Sequence, residues 1–492
     1  TRRQEKDYMI RRTLKILAVI VVVLVLLVVG VWFLLQPPVL AVPSQKRLVF
    51  FNVTVINPGR DRRVGRTLTI QDGQIVAITP NPYTISESEA GTRFAGFYVL
   101  PGLIDMHVHQ PPFEAELYGL LFLAHGVTSV RNTGDFSGTI LKKRQQIRNG
   151  AYPGPRIFAC GPIIDGDPPF WPDSRVVRTV AEVQAAVDEV AAAGADCVKV
   201  YGRLSGELLA AIREAAARHK LPVVGHVPLA VPFEEAHIRD VQHLTGVPLY
   251  TNHADTSRMA QFAAWAAAWQ NLDEARINFI VRTSVEQGLS HTPTLVVWAR
   301  MGRLRDYPTL RDDPTTQLLP RWYREVFWRP REATLPADDD IGAALPKMKA
   351  VVRRLYKAGV RIHTGSDTPN PFVVPGASLH EELHYLADAG LTPAEAWVAA
   401  TRWPGETLGM AKLGIVQEGA PADFLLFRED PTRDLAALST LEAVVAQGRL
   451  YPKAVLDAAL ARHRAYFNGW LYDRLSMLYA RWLASRTAID QQ

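Results

Sequence analysis

The sequence predicts an α/β chain built on a TIM-like (β/α)8 barrel, with a small β-sandwich domain assembled from the two segments that flank it. Three observations predict this. Short apolar strands alternate with helical stretches across 99–407, while 47–98 and 408–451 read as strands alone. Polar residues also fall at the C-terminal ends of the barrel strands, where such barrels carry their chemistry. A doubly wound open sheet is the alternative.

Taken in order, residues 1–15 form a basic segment holding Arg2, Arg3, Lys6, Arg11, Arg12 and Lys15. Residues 16–35 are an uninterrupted apolar run, about 30 Å long as a helix, and predict a transmembrane span. The positive flank predicts a cytoplasmic N-terminus, with Trp32 at the outer interface. The expected location is therefore the cytoplasmic membrane, single-pass, with residues 16–35 against lipid and the catalytic domain outside, in the periplasm of a Gram-negative cell. A linker, 36–46, follows.

In 47–98, Gln71-Asp-Gly-Gln74 places Asp-Gly between two alternating apolar runs, the signal for a tight hairpin. Strands return at Phe424-Leu-Leu-Phe427 and Glu442-Ala-Val-Val-Ala446, so 408–451 supplies the second part of the flanking domain. Within the barrel, Thr179 and Glu182 form a capping box ahead of Val183, Val187 and Val190, and Gly194 stops that helix. Strands are predicted at Leu100–His109, Thr128–Arg131, Arg156–Ala159, Asp196–Tyr201, Pro222–His226, Val241–Leu244, Thr292–Leu295 and Val360–Gly365. Residues 452–492 form a basic, amphipathic helical extension with Phe467, Trp470, Leu471, Leu475, Leu478 and Trp482 near helical spacing. Packing on the barrel, membrane-surface contact and docking on a partner are all compatible with it.

The net charge of +6 lies at the two ends and leaves the middle near neutral, which gives no support for nucleic-acid binding. Cys160 and Cys197 are the sole cysteines, so one bridge at most can form. Cys197 shares strand parity with Lys199 but lies deeper, which reads as barrel filling.

His107 and His109, two apart in a strand, project from one face and can meet on one cation; Asp105 shares that face. His226 ends the fifth strand, His243 lies in the sixth and Asp367 follows the eighth, while Lys199 sits between Val198 and Val200 in the fourth. A lysine buried there is paired or neutral, and a neutral amine reacts with carbon dioxide to give an anionic carbamate. His291 stands at the mouth of the seventh strand as a substrate contact. Tyr201, two beyond Lys199, shares its face and is placed to hydrogen-bond a developing oxyanion or to pack at the rim. His380 and His384 have metal-like helical spacing, but a solvated or packed face accounts for them better.

Pro101-Gly-Leu-Ile-Asp-Met-His-Val-His109, Gly194-Ala-Asp-Cys-Val-Lys-Val-Tyr201, Val223-Val-Gly-His-Val-Pro228, Val241-Gln-His-Leu-Thr-Gly246 and Thr364-Gly-Ser-Asp-Thr-Pro369 resemble the motifs of the amidohydrolase superfamily. The imidazolonepropionase-like and Xaa-Pro dipeptidase-like branch is the most similar, over roughly 47–450. Arg131-Asn132 departs from the Arg-Asp of that pattern. The resemblance implies two divalent metal ions, usually zinc. His107, His109 and Asp367 would hold one, His226 and His243 the other, and carbamylated Lys199 would bridge them. Two such cations can share a hydroxide that attacks an amide carbonyl, with Asp367 as proton shuttle and Tyr201 as a second catalytic group. The expected substrate is a small-molecule amide: a dipeptide, an N-acyl amino acid or a cyclic amide. Lactone or phosphotriester hydrolysis on the same centre is the alternative, as is a non-catalytic subunit of a membrane complex. A homo-oligomer or membrane-complex partner is compatible with either.

Overall fold

The structure is a computed structural model that describes residues 2–81, 94–111, 113–135, 138–249, 258–329 and 338–489. Its strands are β1 (Arg47–Asn57), β2 (Asp61–Gln71), β3 (Gln74–Pro80), β4 (Tyr98–Pro101), β5 (Leu103–Val108), β6 (Val127–Asn132), β7 (Arg156–Ala159), β8 (Ile163–Asp165), β9 (Arg175–Val176), β10 (Val198–Val200), β11 (Val223–Gly225), β12 (Asp240–Gln242), β13 (Ser290–Thr292), β14 (Arg361–Ile362), β15 (Phe424–Phe427), β16 (Leu441–Ala446) and β17 (Arg449–Pro452).

The flanking unit joins both ends of the chain in one mixed sheet, ordered β17-β16-β15-β4-β1-β2-β3. Asp72 and Gly73 both take positive φ, 49° and 81°, so the β2–β3 hairpin turns as the Asp-Gly pair predicts. A single sheet stands here instead of two facing ones. It still encloses a core, because the start of β3 reaches the chain just before β15: Ile75 N donates to Ala420 O at 3.0 Å and Ala422 N to Gly73 O at 2.9 Å. Phe50, Leu68, Ile75, Phe424 and Val445 fill the space.

The catalytic half has parallel strands in two sheets, β5-β6-β7 and β9-β8-β10-β11-β12-β13-β14. They follow one another around a TIM-like barrel, though not as one closed ladder. The ladder breaks between β7 and β8, at Cys160-Gly161-Pro162, where Gly161 has φ +72°. On the opposite side, β5 meets the segment after β14: Met106 N donates to Thr364 O (2.9 Å), Asp367 N to His107 O (2.7 Å) and His109 N to Thr368 O (2.7 Å). Thr179 caps the helix Val180–Ala192 by accepting from Glu182 N at 3.2 Å, and Glu182 Oε2 accepts from Arg178 N at 2.6 Å. That helix buries Val183, Val187 and Val190 against the strands. The two cysteines form a buried disulfide, Cys160–Cys197, so Cys197 links strands in addition to filling space.

The N-terminal segment requires a correction. The helix Arg2–Leu34 covers the run predicted to span a membrane, but among the described residues no helix is long and apolar enough to cross one. The predicted single-pass topology and membrane location are overturned on that ground. The end of this helix instead meets the C-terminal extension, where the Tyr466 hydroxyl donates to Leu35 O at 2.6 Å.

Candidate metal centre

His107 is brought in by β5 and Asp367 by the segment after β14, the two elements that close the barrel. His107 Nε2 and His109 Nε2 lie 3.3 Å apart, and each is 3.3 Å from Asp367 Oδ1. Among the described residues these three form a metal-competent cluster, their ligand atoms within 4.8 Å of one another. Burial, helped by Lys199 and His109, pushes His107 well below the usual imidazole range, so its ring is neutral. Two imidazoles and a carboxyl group converging this closely fit a divalent cation.

His243 joins from β12's C-terminal end, its Nε2 3.8 Å from Asp367 Oδ2 and its Nδ1 2.6 Å from the Thr294 hydroxyl. Its ring lies 4.5 Å from that of His107 and 4.9 Å from that of His226. Burial holds His226 and His243 well below the ordinary range too. His226 Nε2 is buried with no hydrogen-bond partner, an orphan that a cation would satisfy. His243 and Asp367 both sit at left-handed φ, 57° and 59°, without being glycine. Such backbone costs of order 1–3 kcal/mol per residue and is held only where the surroundings over-determine it.

Lys199 is 1% exposed, between the imidazoles and the barrel interior. Burial lowers its ammonium to about 7, against an opposing pull from Asp367, so the amine is substantially neutral near pH 7. Its Nζ donates to Gln242 Oε1. Tyr201 stacks on His226 at 3.8 Å and 28°, and Phe170 packs on Tyr201 at 5.3 Å. Asp105 is fully buried and accepts from Ser366 N (2.9 Å) and the Ser366 hydroxyl (2.6 Å), so it fixes the Asp367 loop.

A cavity of about 650 Å³ opens from this cluster, and His107, His109, Lys199, Tyr201, His226, His243 and Asp367 all line it. His291 does not. It is fully buried, its Nε2 3.0 Å from the Ser284 hydroxyl, and burial lowers it to about 4. His380 Nε2 donates to His125 O at 2.7 Å and His384 is exposed, the packed and solvated face expected of that pair.

Several residues of the site carry no motif signal of their own. Gln242 immediately precedes His243 and partners Lys199. Arg131, whose role the Asn132 departure left open, pairs with Asp240 and donates from Nε to Met106 O at 2.9 Å. Asp240 also meets His363 Nδ1 (3.2 Å) and the Thr292 hydroxyl (2.9 Å). Burial pushes Asp240 up, but Arg131 and His363 outweigh it and hold the carboxyl well below its usual range. Trp298 and Trp265, stacked at 3.9 Å, form one cavity wall. Helical spacing alone cannot separate such tryptophans from core.

Residues 98–451 match the Amidohydrolase family, and the chain belongs to it. It is therefore a hydrolytic enzyme of a class that acts on small-molecule amides and typically uses divalent metals. Among solved structures, the chain resembles a bottromycin amidohydrolase at 25% identity (TM-score 0.69; 87% of this chain and 93% of that one). It also resembles a putative prolidase from Bifidobacterium longum at 24% (0.62; 86% and 100%) and a Xaa-Pro dipeptidase with bound methionine at 20% (0.59; 82% and 100%). No curated protein matches.

Proposed function

We propose that the chain hydrolyses an amide bond with two divalent cations, which His107, His109 and Asp367 on one side and His226 and His243 on the other would hold, with Lys199 joining the ligand set as a carbamate. The observation that carries this reading is the convergence of two imidazoles and one carboxyl group, their ligand atoms within 4.8 Å of one another, on the lining of a cavity. The neutral fraction of Lys199 supports the carbamate: its Nζ lone pair forms a bond to the carbon of carbon dioxide and the nitrogen loses a proton. Bound divalent cations, zinc foremost, would supply Lewis acidity to polarise the amide carbonyl and acidify the attacking water.

The remaining steps belong to the chain. Asp367 takes a proton from the water and returns it to the leaving amine. Tyr201, held flat against His226, is placed to donate to the oxygen on which charge develops. The apolar walls, including Trp265, Trp298 and Phe170, exclude water and favour a substrate with apolar groups beside the amide, such as a dipeptide, an N-acyl amino acid or a cyclic amide.

Asp367→Asn removes the proton carrier without changing side-chain size. It should lower kcat on such amides by at least about a thousandfold while thermal unfolding of the metal-free protein changes little. Metal analysis of the wild type should find about two transition-metal ions per chain. Less than one ion, or an active Asp367→Asn, would refute the reading.

A further inference from the structure

The family match ends at residue 451, yet the chain continues into two helices, Lys453–Phe467 and Trp470–Ile489. These helices carry a set of polar contacts to the catalytic half. The Tyr472 hydroxyl donates to Glu114 Oε1 at 2.8 Å, Asp473 pairs with Arg321 at 3.1 Å, and Arg464 donates to Gln317 Oε1 at 2.9 Å. Two of these partners adjoin residues that line the cavity, Glu114 next to Phe113 and Arg321 next to Trp322. Glu114 follows His109 by five residues, and Gln317 and Arg321 belong to the insertion after β13.

That insertion supplies the outer wall of the catalytic cavity. Trp322 stacks on Tyr323 at 3.8 Å, Phe113 packs edge-on to Trp322 at 5.4 Å, and all three line the cavity. Among the described residues no strand anchors the wall. Its backbone is a 3-10 turn, Thr316–Leu318, followed by a π-helical turn, Tyr323–Phe327, a geometry that is marginal without outside support. Glu114 is half-buried, its carboxyl turned in between the wall and the C-terminal helix, in a left-handed backbone with φ 61°.

We propose that the C-terminal helix Trp470–Ile489 is a specificity element, and that Tyr472 and Glu114 are positioning residues that hold the Trp322–Tyr323 wall and so set which amide substituents the cavity admits. This rests on the amide-hydrolase reading above. Neither residue touches the metal cluster; the wall reaches its neighbourhood through Trp328, which packs on Tyr323 at 5.2 Å and donates from Nε1 to Pro369 O at 3.0 Å.

Glu114 makes the device sensitive to pH. Burial pushes its carboxyl up to about 7, against hydrogen bonds led by the one from Tyr472. The titratable groups around it are Tyr118 from the helix Ala115–Ala124, Tyr323 from the wall, and Tyr466 and Tyr472 from the C-terminal helices. All four are phenols that burial pushes further up, so near neutrality only Glu114 itself changes charge.

The test compares wild type, Tyr472→Phe, Glu114→Gln and Tyr479→Phe. Tyr479 shares the helix but is 58% exposed and lies outside this contact set. Two neutral dipeptides serve as probes, one aromatic on both sides of the amide and one of two alanines. The expected result is a KM for the aromatic dipeptide changed about fivefold by Tyr472→Phe, with kcat for the alanine dipeptide within about twofold and Tyr479→Phe silent. The wild-type ratio of kcat/KM for the two probes should vary between about pH 6 and 8, and Glu114→Gln should flatten it.

Hydrogen exchange over 318–328 is read in the same proteins. It should be faster in Tyr472→Phe than in Tyr479→Phe, whether or not a dipeptide is turned over. An unchanged probe ratio in the first two variants at every pH, or unchanged exchange at 318–328, overturns the proposal. Absence of hydrolysis by the wild type counts instead against the amide-hydrolase reading, and exchange then decides this one.

Discussion

At Glu382 a carboxyl lies in the barrel's outer layer, accepting from Leu295 N at 3.1 Å and Val296 N at 2.8 Å, with no basic partner among the described residues. Burial raises it from 4.5 to about 8, the backbone bonds pulling the other way. Between those values the folded protein keeps a proton that the unfolded chain has released. Its contribution to stability is therefore complete below about pH 4.5 and is lost as pH rises through about 8. Glu382→Gln keeps a carbonyl acceptor and removes the titration. Thermal unfolding followed from pH 5 to 8 should show a fall in wild-type Tm that the variant largely lacks; parallel curves would refute this account. Asp240 behaves in the opposite way, because Arg131 and His363 offset its burial. The difference between the two acids is the guanidinium.

At the scale of elements, the break between β7 and β8 is where the disulfide lies. Cys160 follows β7 directly, Cys197 precedes β10, and Asp196 N donates to Ala159 O at 2.7 Å beside them. The bridge ties the interrupted third strand to the one that carries Lys199. It closes a loop of 37 residues, which in the chain-entropy account stabilises by about 3–4 kcal/mol. The Cys160→Ser, Cys197→Ser double variant should lose that much in denaturant unfolding, and the wild type should show no reactive thiol. These elements also mark what the sequence discloses. Each predicted barrel strand overlaps an observed one, because apolar runs such as Val198–Val200 follow a clear helix stop such as Gly194. Strand ends shift by up to three residues, since polar ligands end the apolar run where pairing still continues or has already stopped. β8 and β9 are not legible. Gly161-Pro162 reads as a loop, and Arg175–Val176 is too short to show a period. Of the candidate site residues, the seven around the metal cluster sit at strand ends with recognisable neighbours; His291 shares that position but turns inward to Ser284. Gln242, Trp265, Trp298 and Glu114 acquire their places through tertiary contacts between distant segments, which no local pattern encodes.

At the scale of the whole molecule, three of the candidate metal ligands, His107, His109 and Asp367, lie on the seam that closes the barrel. β5 and the segment after β14 are joined by the Val108–Thr368 bridge and three backbone hydrogen bonds, a thin closure beside the ladders elsewhere. His107 and His109 stand on one side of that seam and Asp367 on the other. A cation held by all three is a cross-link between the first and last strands of the barrel, and in the unfolded chain those ligands are some 260 residues apart. Binding to the folded state alone stabilises by about 4 kcal/mol when free metal exceeds Kd a thousandfold, on the order of 4 °C in Tm for a chain of this length. Exhaustive chelation should therefore lower Tm by about that amount, abolish hydrolysis, and raise hydrogen exchange at 105–109 and 364–368 more than in the flanking sheet. Adding back zinc should reverse all three. His107→Ala should lower the Tm of the metal-loaded protein and make it insensitive to chelator. A chelated wild type with unchanged Tm and unchanged exchange at those two segments would show that the seam closes without the metal.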